Sequence, residues 1–143
     1  MTLQRQKSWC FLFLLCIGLV GCYSIVDFNR GNKFEARVRT FSQAIRWSEF
    51  EIAMGYIRMR KNHPQELDLD FLNRIKVTKY QTTNKSPEEN FDEQTSDIIL
   101  VYEIDYYVDN SYKIKHLRYE QLWWYDDSVG NWYLDSDLPK FEL

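Results

Sequence analysis

The sequence predicts an α+β domain in which N-terminal helices pack on a curved antiparallel sheet of three to four strands. Apolar residues recur at helical spacing over residues 33–61, and from Ile75 onward the period changes to two. Turn-forming residues at 109–111 and 126–130 then separate the strand-like segments. Helices followed by strands, without alternation of the two, is the order typical of α+β proteins.

The first helix is predicted to begin at Asn32, because Asn32 and Glu35 have the spacing of a capping box. The apolar residues that follow fall on one stripe of the helix, which we expect to face the core. This stripe consists of Phe34, Val38, Phe41 and Ile45.

A second capping box at residues 48–51 predicts a second helix after a break at Arg46-Trp47. Its buried face would carry Ile52, Tyr56 and Met59. One continuous helix over 33–61 is the alternative, because the apolar stripe continues in phase. The helical part ends at His63-Pro64, since the residue before a proline is kept out of helical geometry. Residues 65–73 form a turn or a short helix.

The strands begin with a segment from Ile75 to about Thr82, which a long polar loop over 83–96 follows. Residues 97–109 form the strongest strand, and its inward face is predicted to carry Ile98, Leu100, Tyr102, Ile104, Tyr106 and Val108. The chain turns at 109–111 and returns as a third strand over 112–125. Residues 131–135 form the last strand.

The third strand has a phase conflict. Ile114 stands at an even position, whereas Leu117, Tyr119 and Trp123 stand at odd positions. All four side chains can face the core only if one extra residue shifts the register. We therefore predict a β-bulge near His116.

The first 21 residues differ in kind from the rest of the chain. Arg5 and Lys7 precede any acid, and an apolar run of twelve residues follows over 9–20. A membrane-spanning helix needs about 20 apolar residues, so this run predicts the core of a signal peptide. An uncleaved anchor or an ordinary secretory signal is the alternative.

The run ends in Leu19-Val20-Gly21-Cys22, which resembles the lipobox of bacterial lipoproteins. The resemblance implies cleavage between Gly21 and Cys22, diacylglycerol on the Cys22 sulfur, and a fatty acyl group such as palmitate on the new amine. Acyl chains at this position would hold the protein to a membrane. Tyr23 in place of an aspartate implies the outer membrane, with the domain facing the periplasm.

This pattern divides the chain into three parts. Residues 1–21 are a cleaved signal peptide, residues 22–32 are the lipidated cysteine with a short tether, and residues 33–143 are a single α+β domain. Cleavage would remove two cations and no acid, and would leave Cys22 as the remaining cysteine. No disulfide is then expected within the mature chain.

Composition and motifs exclude several functions. The 143-residue chain has 18 Lys and Arg against 21 Asp and Glu, so nucleic acid, which needs a basic face, is not an expected partner. His63 and His116 do not stand in a metal-ligand spacing. No nucleophile motif or phosphate-binding glycine loop occurs. We therefore predict no metal, no cofactor and no catalytic residue.

The order of elements resembles the nuclear transport factor 2-like superfamily, whose curled sheets form a cone over helices. The resemblance is carried by the helix over 48–59, the hairpin over 97–125 and the closing residues 130–134. Residues 118–125 and the Leu138-Pro139 pair also resemble an uncharacterised group of proteobacterial lipoproteins. A cystatin-like single helix over a sheet is the nearest alternative.

The superfamily includes ketosteroid isomerases, and this resemblance implies an alternative function. A pocket lined by Tyr56, Tyr102 and Tyr106 would bind a small ligand or support an isomerase-like reaction. However, Glu103 and Asp105 fall on the polar side of their strand, away from Tyr102 and Tyr106. Fold analogy alone does not establish catalysis.

Aromatic residues make up 17% of the chain, and five of them cluster near the last two strands: Trp123, Trp124, Tyr125, Trp132 and Tyr133. A core and cross-strand ladder is one interpretation. The other is a binding surface for an envelope protein or a glycan. Trp123 and Trp124 are adjacent in a strand, so they must point to opposite faces.

Basic residues of the helical part are expected on a solvated face, with lipid headgroups as the alternative contact: Arg37, Arg39, Arg46, Arg58, Arg60 and Lys61. The sequence therefore predicts a membrane-anchored, periplasm-facing lipoprotein that acts as a non-catalytic binding or envelope-accessory module. A homodimer through the exposed sheet is compatible with this pattern.

Overall fold

The structure is a computed structural model, and it describes residues 29–61, 66–83, 97–111 and 113–143. The predicted signal peptide, the lipobox and most of the predicted loop lie outside the described residues. Helix α1 covers residues 29–46, helix α2 Phe50–Met54 and helix α3 Leu69–Leu72. The strands are β1 Ile75–Thr82, β2 Asp97–Val108, β3 Lys115–Asp126 and β4 Asn131–Leu134.

The four strands form one curled antiparallel sheet in the order β1-β2-β3-β4. This confirms the predicted α+β class, and the observed number of strands is at the upper end of the prediction. Strands β2 and β3 are each twelve residues long and form the longest hairpin of the sheet. The core lies between α1 and one face of this sheet.

The bulge predicted near His116 is wrong. Strands β2 and β3 pair without interruption from Asp97 opposite Trp124 to Tyr106 opposite Lys115. No shift is needed because β3 begins only at Lys115, so Ile114 precedes the strand and is exposed. A bulge occurs in β1 instead, between Val77 and Lys79.

The apolar stripe predicted for α1 is confirmed. Its four members are nearly or fully buried: Phe34, Val38, Phe41 and Ile45. The predicted start at Asn32 is wrong, because the structure is already helical at residue 29. Residues 29–32, which the sequence assigned to the tether, belong to α1. Tertiary contacts of Arg30 with aromatic residues of the sheet, described below, favour this extension, and no local signal in the sequence reports them.

The break between the first two helices occurs where it was predicted, but the hydrogen bonds that form it differ from those of the predicted capping box. The Glu49 N–H donates to the Ala44 carbonyl, and the Ser48 N–H donates to the Ile45 carbonyl. Ser48 has a φ of +59°. These are the bonds and the left-handed residue of a Schellman motif. Ser48 therefore ends α1, and its predicted role as the cap of the next helix is wrong.

Helix α2 ends at Met54, much earlier than predicted, so Tyr56 and Met59 lie beyond it, and Tyr56 packs against the core there. The burial predicted for Ile52 is wrong. Ile52 is 52% exposed. After Met54 the chain turns toward β4, where Ile57 forms a parallel bridge with Leu134. Leu134 donates to the Tyr56 carbonyl and accepts from the Arg58 N–H. The open edge of β4 offers these backbone groups better partners than another turn of helix does.

Two short segments close the core at the other end of the sheet. Helix α3 is capped by Asp68, whose carboxylate accepts from the Phe71 N–H at 2.9 Å. Near the C-terminus, Phe141 packs edge-on against Phe50 and Tyr106. In the described part of the chain, no helix has both the length and the hydropathy needed to span a membrane.

Candidate functional site

The aromatic residues predicted as a binding surface divide between the core and the edge of the domain. Trp123 and Trp132 are fully buried and pack on Phe34. They cannot contact a partner while the domain is folded, so this part of the prediction is wrong. Trp124, Tyr125 and Tyr133 are half-buried. Trp123 and Trp124 do point to opposite faces, as predicted.

The first turns of α1 attach to this aromatic region through cations. The Arg30 guanidinium lies 4.3 Å from the ring centre of Tyr125 and 5.3 Å from that of Trp132. The Trp132 indole N–H donates to the Arg30 carbonyl at 3.1 Å. One turn later, Lys33 Nζ donates to the Gly130 carbonyl at 2.9 Å. These contacts fasten α1 to the turn between β3 and β4.

Arg37 continues the same row of cations. Its Nε donates to the Trp132 carbonyl at 3.0 Å, and its guanidinium lies 4.6 Å from the ring of Tyr56 and 5.2 Å from the ring of Tyr133. Both rings therefore offer their negative faces to one charge. Arg30, Lys33 and Arg37 are spaced by three and four residues, which places them on one side of the helix.

The segment after α2 supplies two more arginines. Arg58 lies 5.1 Å from the Tyr133 ring and pairs with Asp126 at 2.7 Å. The hydrogen bond from the Ser128 hydroxyl lowers the pKa of Asp126, and the charge of Arg58 lowers it further. The Trp124 indole N–H donates to the Arg58 carbonyl at 2.9 Å.

Arg60 completes the arrangement. It binds both oxygens of Asp97 at 3.0 and 2.9 Å and one oxygen of Asp135 at 2.7 Å, and its guanidinium lies 5.4 Å from the Trp124 ring. Hydrogen bonds to the two carboxylates raise its pKa. We call these residues together the cation–aromatic cluster: Arg30, Arg37, Arg58, Arg60, Trp124, Tyr125, Trp132 and Tyr133.

The cation–aromatic cluster accounts for much of the aromatic excess. The protein's own guanidinium groups lie over the rings that were predicted to form a binding surface for an envelope protein or a glycan. Of the basic residues expected on a solvated face, Arg37 is half-buried and binds within the fold, so that expectation is wrong for it. Arg58 and Arg60 are exposed, as expected, although they also pair with carboxylates of the domain. Arg39 and Arg46 are exposed, as expected.

The three tyrosines predicted to line a pocket do not meet. Tyr102 and Tyr106 share the inward face of β2, but four residues of extended strand separate them by about 13 Å. The Tyr106 hydroxyl accepts from the Glu142 N–H at 3.0 Å, whereas Tyr102 hydrogen-bonds with Ser42. Tyr56 lies beneath Arg37. The described residues therefore do not form one pocket around these tyrosines.

A buried polar group that the sequence interpretation missed lies under the middle of α1. Gln121 is fully buried; its amide nitrogen donates to the Tyr80 hydroxyl at 2.5 Å, and its amide oxygen accepts from the Trp123 indole N–H at 2.9 Å. The Tyr80 ring stacks on Tyr102 at 4.4 Å. Ser42 of α1 hydrogen-bonds with both tyrosines. We call these residues the tyrosine–glutamine cluster: Ser42, Tyr80, Tyr102 and Gln121.

The tyrosine–glutamine cluster is neutral and joins α1 to three strands. Burial raises the pKa of Tyr80 and of Tyr102, so both hydroxyls keep their protons at neutral pH. The members contain no carboxylate that could act as a base. A satisfied network of this kind specifies how a helix sits on a sheet. Gln121 could have been found from the sequence as a polar residue between the inward-facing Tyr119 and Trp123.

The opposite face of the sheet carries an open, charged groove. The Asp105 carboxylate accepts from His116 Nδ1 across the β2–β3 pair at 2.7 Å, and Lys79 Nζ lies 3.7 Å from a Glu103 carboxylate oxygen. This confirms that Glu103 and Asp105 point away from the inward tyrosines. Within the described ranges, no three His, Cys, Asp or Glu side chains are placed to hold a metal ion.

Comparison with known proteins finds no family model that matches this chain, no matching curated protein and no matching solved structure. The two clusters show how the domain is held together, and neither presents an open site with converging reactive groups.

Proposed function

We propose that this protein is a lipid-anchored protein of the bacterial outer membrane, facing the periplasm, whose folded domain is a non-catalytic binding or envelope-accessory module. One observation carries the proposal. Arg5 and Lys7 precede a twelve-residue apolar run, and the run ends in Leu19-Val20-Gly21-Cys22. Charge, apolar core and a lipidatable cysteine stand in the order that lipoprotein processing requires.

The position of the folded domain fits an anchor at Cys22. Six residues, 23–28, separate Cys22 from residue 29, where the described helix begins. At full extension the seven Cα–Cα steps from Cys22 to residue 29 span about 25 Å. An anchor at Cys22 would therefore keep the N-terminal end of α1 near the bilayer, and the module would work at the membrane surface.

The geometry favours binding over catalysis. Tyr56, Tyr102 and Tyr106 have separate partners, so the tyrosines considered for an isomerase-like site do not converge on one substrate position. Asp105, the nearest candidate base, lies on the opposite face of the sheet and pairs with His116. The charged groove on that face remains available to an envelope partner or to a second copy of the chain.

We also propose that the domain belongs with the nuclear transport factor 2-like cones. Support comes from α1 lying across a curled four-stranded sheet whose long β2–β3 hairpin stands at its centre. The short α2 and the absence of a second long helix within the described ranges favour the cystatin-like alternative.

Lipidation of Cys22 tests the proposed function directly. The full-length gene would be expressed in a bacterial host fed an alkyne analogue of palmitate, and the N-terminal peptide would be analysed by mass spectrometry. We expect cleavage before Cys22, a diacylglycerol-modified sulfur, and recovery of the protein in the outer-membrane fraction. Cys22→Ala should abolish the label and the membrane recovery.

Cys16→Ala is the matched control, because Cys16 lies in the apolar run and is expected to be removed with it. That variant should be labelled like the unmodified protein. If Cys22→Ala still co-sedimented with membranes, or if the first residue of the mature protein were not Cys22, the proposal would fail.

A further inference from the structure

The outward face of α1 has an unusual composition. It lies opposite the buried stripe and consists of exposed or half-exposed residues: Asn32, Ala36, Arg39, Thr40, Gln43 and Arg46. Its two charged members are both arginines. Residues 29–46 contain five basic residues and one acid, Glu35, although the chain as a whole is acidic. Glu35 lies on the flank of the helix, about 100° from the buried stripe and one turn before Arg39 on the same side.

Large apolar side chains are exposed where this face ends. Trp47 is 76% exposed, Ile52 is 52% exposed and Met54 is 41% exposed. The three residues lie within eight positions of one another at the corner between α1 and α2. Exposed apolar groups gathered in this way mark a contact surface. Tryptophan beside arginine is the combination favoured at membrane–water interfaces.

We propose that the outward face of α1, with Trp47 at its end, docks on the phospholipid bilayer to which the protein is anchored. The inference rests on the proposed function, because the anchor at Cys22 brings the helix to the membrane. Residues 29–46 extend about 27 Å, and the six residues 23–28 connect them to Cys22. A helix held this close to the bilayer can lie along it, with its free arginines over lipid phosphates.

Charge favours a bilayer as the occupant of this surface. Arg39 and Arg46 present two cations to lipid phosphates, and the face between them carries no acid. Lipid anchors hold a protein to a membrane but leave the orientation of its domain free, and a basic or aromatic patch supplies the second contact. Glu49 and Glu51 are exposed just beyond Trp47. Because their charges stay in water, the corner would reach the headgroups and go no deeper into the bilayer.

Docking in this orientation has a consequence for the rest of the domain. Helix α1 covers one face of the sheet, and the charged groove with Asp105 and His116 lies on the other. A domain that rests on α1 therefore turns this groove toward the periplasm, where an envelope partner could reach it.

The test uses the full-length, lipidated protein reconstituted in vesicles of phosphatidylethanolamine and phosphatidylglycerol. Gln43→Cys places a single reactive thiol at the centre of the outward face, because Cys22 is blocked by its lipid. Glu103→Cys on the opposite sheet face is the matched control. Each thiol would carry an environment-sensitive fluorophore, quenched either by lipid-borne or by aqueous quenchers.

We expect the label at position 43 to be quenched from the lipid and shielded from aqueous iodide, and the label at position 103 to behave in the opposite way. Adding Arg39→Ala and Arg46→Ala should lower the ratio of docked to undocked domains about thirtyfold. Each cation near an anionic surface contributes a factor of about five to this ratio, and the two factors multiply. The pair Lys113→Ala and Arg118→Ala should leave the ratio unchanged.

Failure of the docking can be separated from failure of the proposed function. If mass spectrometry finds lipid on Cys22 while the label at position 43 stays in water, docking is wrong and the anchor stands. If Cys22 carries no lipid, the proposed function is wrong. Docking would then be overturned as well, unless the unlipidated protein still bound these vesicles and showed the same quenching at position 43.

Discussion

The two halves of α1 use the same residue types in opposite ways. In the N-terminal half, Arg30 and Arg37 lie over aromatic rings, and Trp132 of the facing strand is fully buried between them and the core. In the C-terminal half, Arg39 and Arg46 point outward, and Trp47 is among the most exposed large apolar side chains of the described residues. Each half contributes residues to the one buried apolar stripe of the helix.

The difference arises from what faces each residue. Arg30, Lys33 and Arg37 lie on the side of the helix that meets β4 and its preceding turn, so the fold itself supplies their partners. Arg39 is two residues beyond Arg37 and is rotated by about 200°, which places it toward solvent. The position of a residue around the helix axis thus decides whether an arginine or a tryptophan stabilises the fold or stays available for binding. That position relative to the sheet is defined only in the packed structure.

The largest contrast is expected between two tryptophan substitutions. Trp132→Ala should lower the free energy of unfolding by about 3–5 kcal/mol, because it empties a fully buried site and removes the ring beneath Arg30. Trp47→Ala should change it by less than about 0.5 kcal/mol, as exposed positions do. Urea denaturation of both variants checks the pair. Similar losses for the two would show that Trp47 is part of the core.

Tyr80→Phe tests the tyrosine–glutamine cluster beneath the middle of α1. Removal of the hydroxyl leaves the buried amide of Gln121 without an acceptor, which should cost about 1–3 kcal/mol of unfolding free energy. Tyr133→Phe is the control, because its ring rather than its hydroxyl makes the contacts in the cation–aromatic cluster. A loss for Tyr133→Phe as large as that for Tyr80→Phe would contradict the assignment.

The same variant has a pH signature. Burial raises the pKa of Tyr80 in the folded protein above the ordinary value near 10. Its contribution to stability is therefore complete below that value and is lost as the pH rises past it, since the unfolded chain releases the proton first. Tyr80→Phe should unfold with a shallower dependence on pH between about 10 and 12 than the unmodified protein does.

Arg37→Gln and Arg39→Gln compare two arginines of one helix. Arg37→Gln removes the hydrogen bond to Trp132 and the contacts with Tyr56 and Tyr133, for an expected loss of about 1–2 kcal/mol. Arg39→Gln should change stability by less than about 0.5 kcal/mol. Thermal denaturation under identical conditions checks both. Equal effects would mean that the contacts of Arg37 add nothing beyond surface charge.

Periodicity was sufficient to predict much of this fold. The buried stripe of α1, the approximate limits of β1 and the inward residues of β2 followed from spacing alone, because each depends on which side of one element is apolar. Errors arose where two elements compete for the same backbone. Ser48 and Glu51 match a helix start, yet the Schellman bonds to Ala44 and Ile45 and the edge of β4 determine the local geometry.

The functional residues were harder to predict than the elements. The opposite orientations of Trp123 and Trp124 follow from strand geometry, but nothing local indicates that Arg58 and Arg60 will cover Tyr133 and Trp124 from more than 60 positions away. These contacts join segments distant in sequence, so their signal exists only in three dimensions. Gln121 is the exception, since a polar residue in an inward-facing row is visible in the sequence.

The smallest expected change in stability is at the corner that carries Trp47, and it is a gain, whereas the preceding substitutions are expected to lower stability. Ser48 adopts a φ of +59°, a conformation that costs a residue with a side chain about 1 kcal/mol relative to glycine. Ser48→Gly should therefore raise the free energy of unfolding by about 1 kcal/mol. Asn110→Gly is the control, because Asn110 also has a positive φ but asparagine tolerates it better.

Urea denaturation of the two glycine variants should show a clear gain for Ser48→Gly and a smaller one for Asn110→Gly. No gain at Ser48 would mean that its left-handed geometry is not strained in the folded protein. The stabilised variant also sharpens the contrast between the halves of α1. If Ser48→Gly kept Trp47 exposed and still docked on vesicles, docking would depend on the arginines and the tryptophan of the outward face, and not on strain stored at the corner.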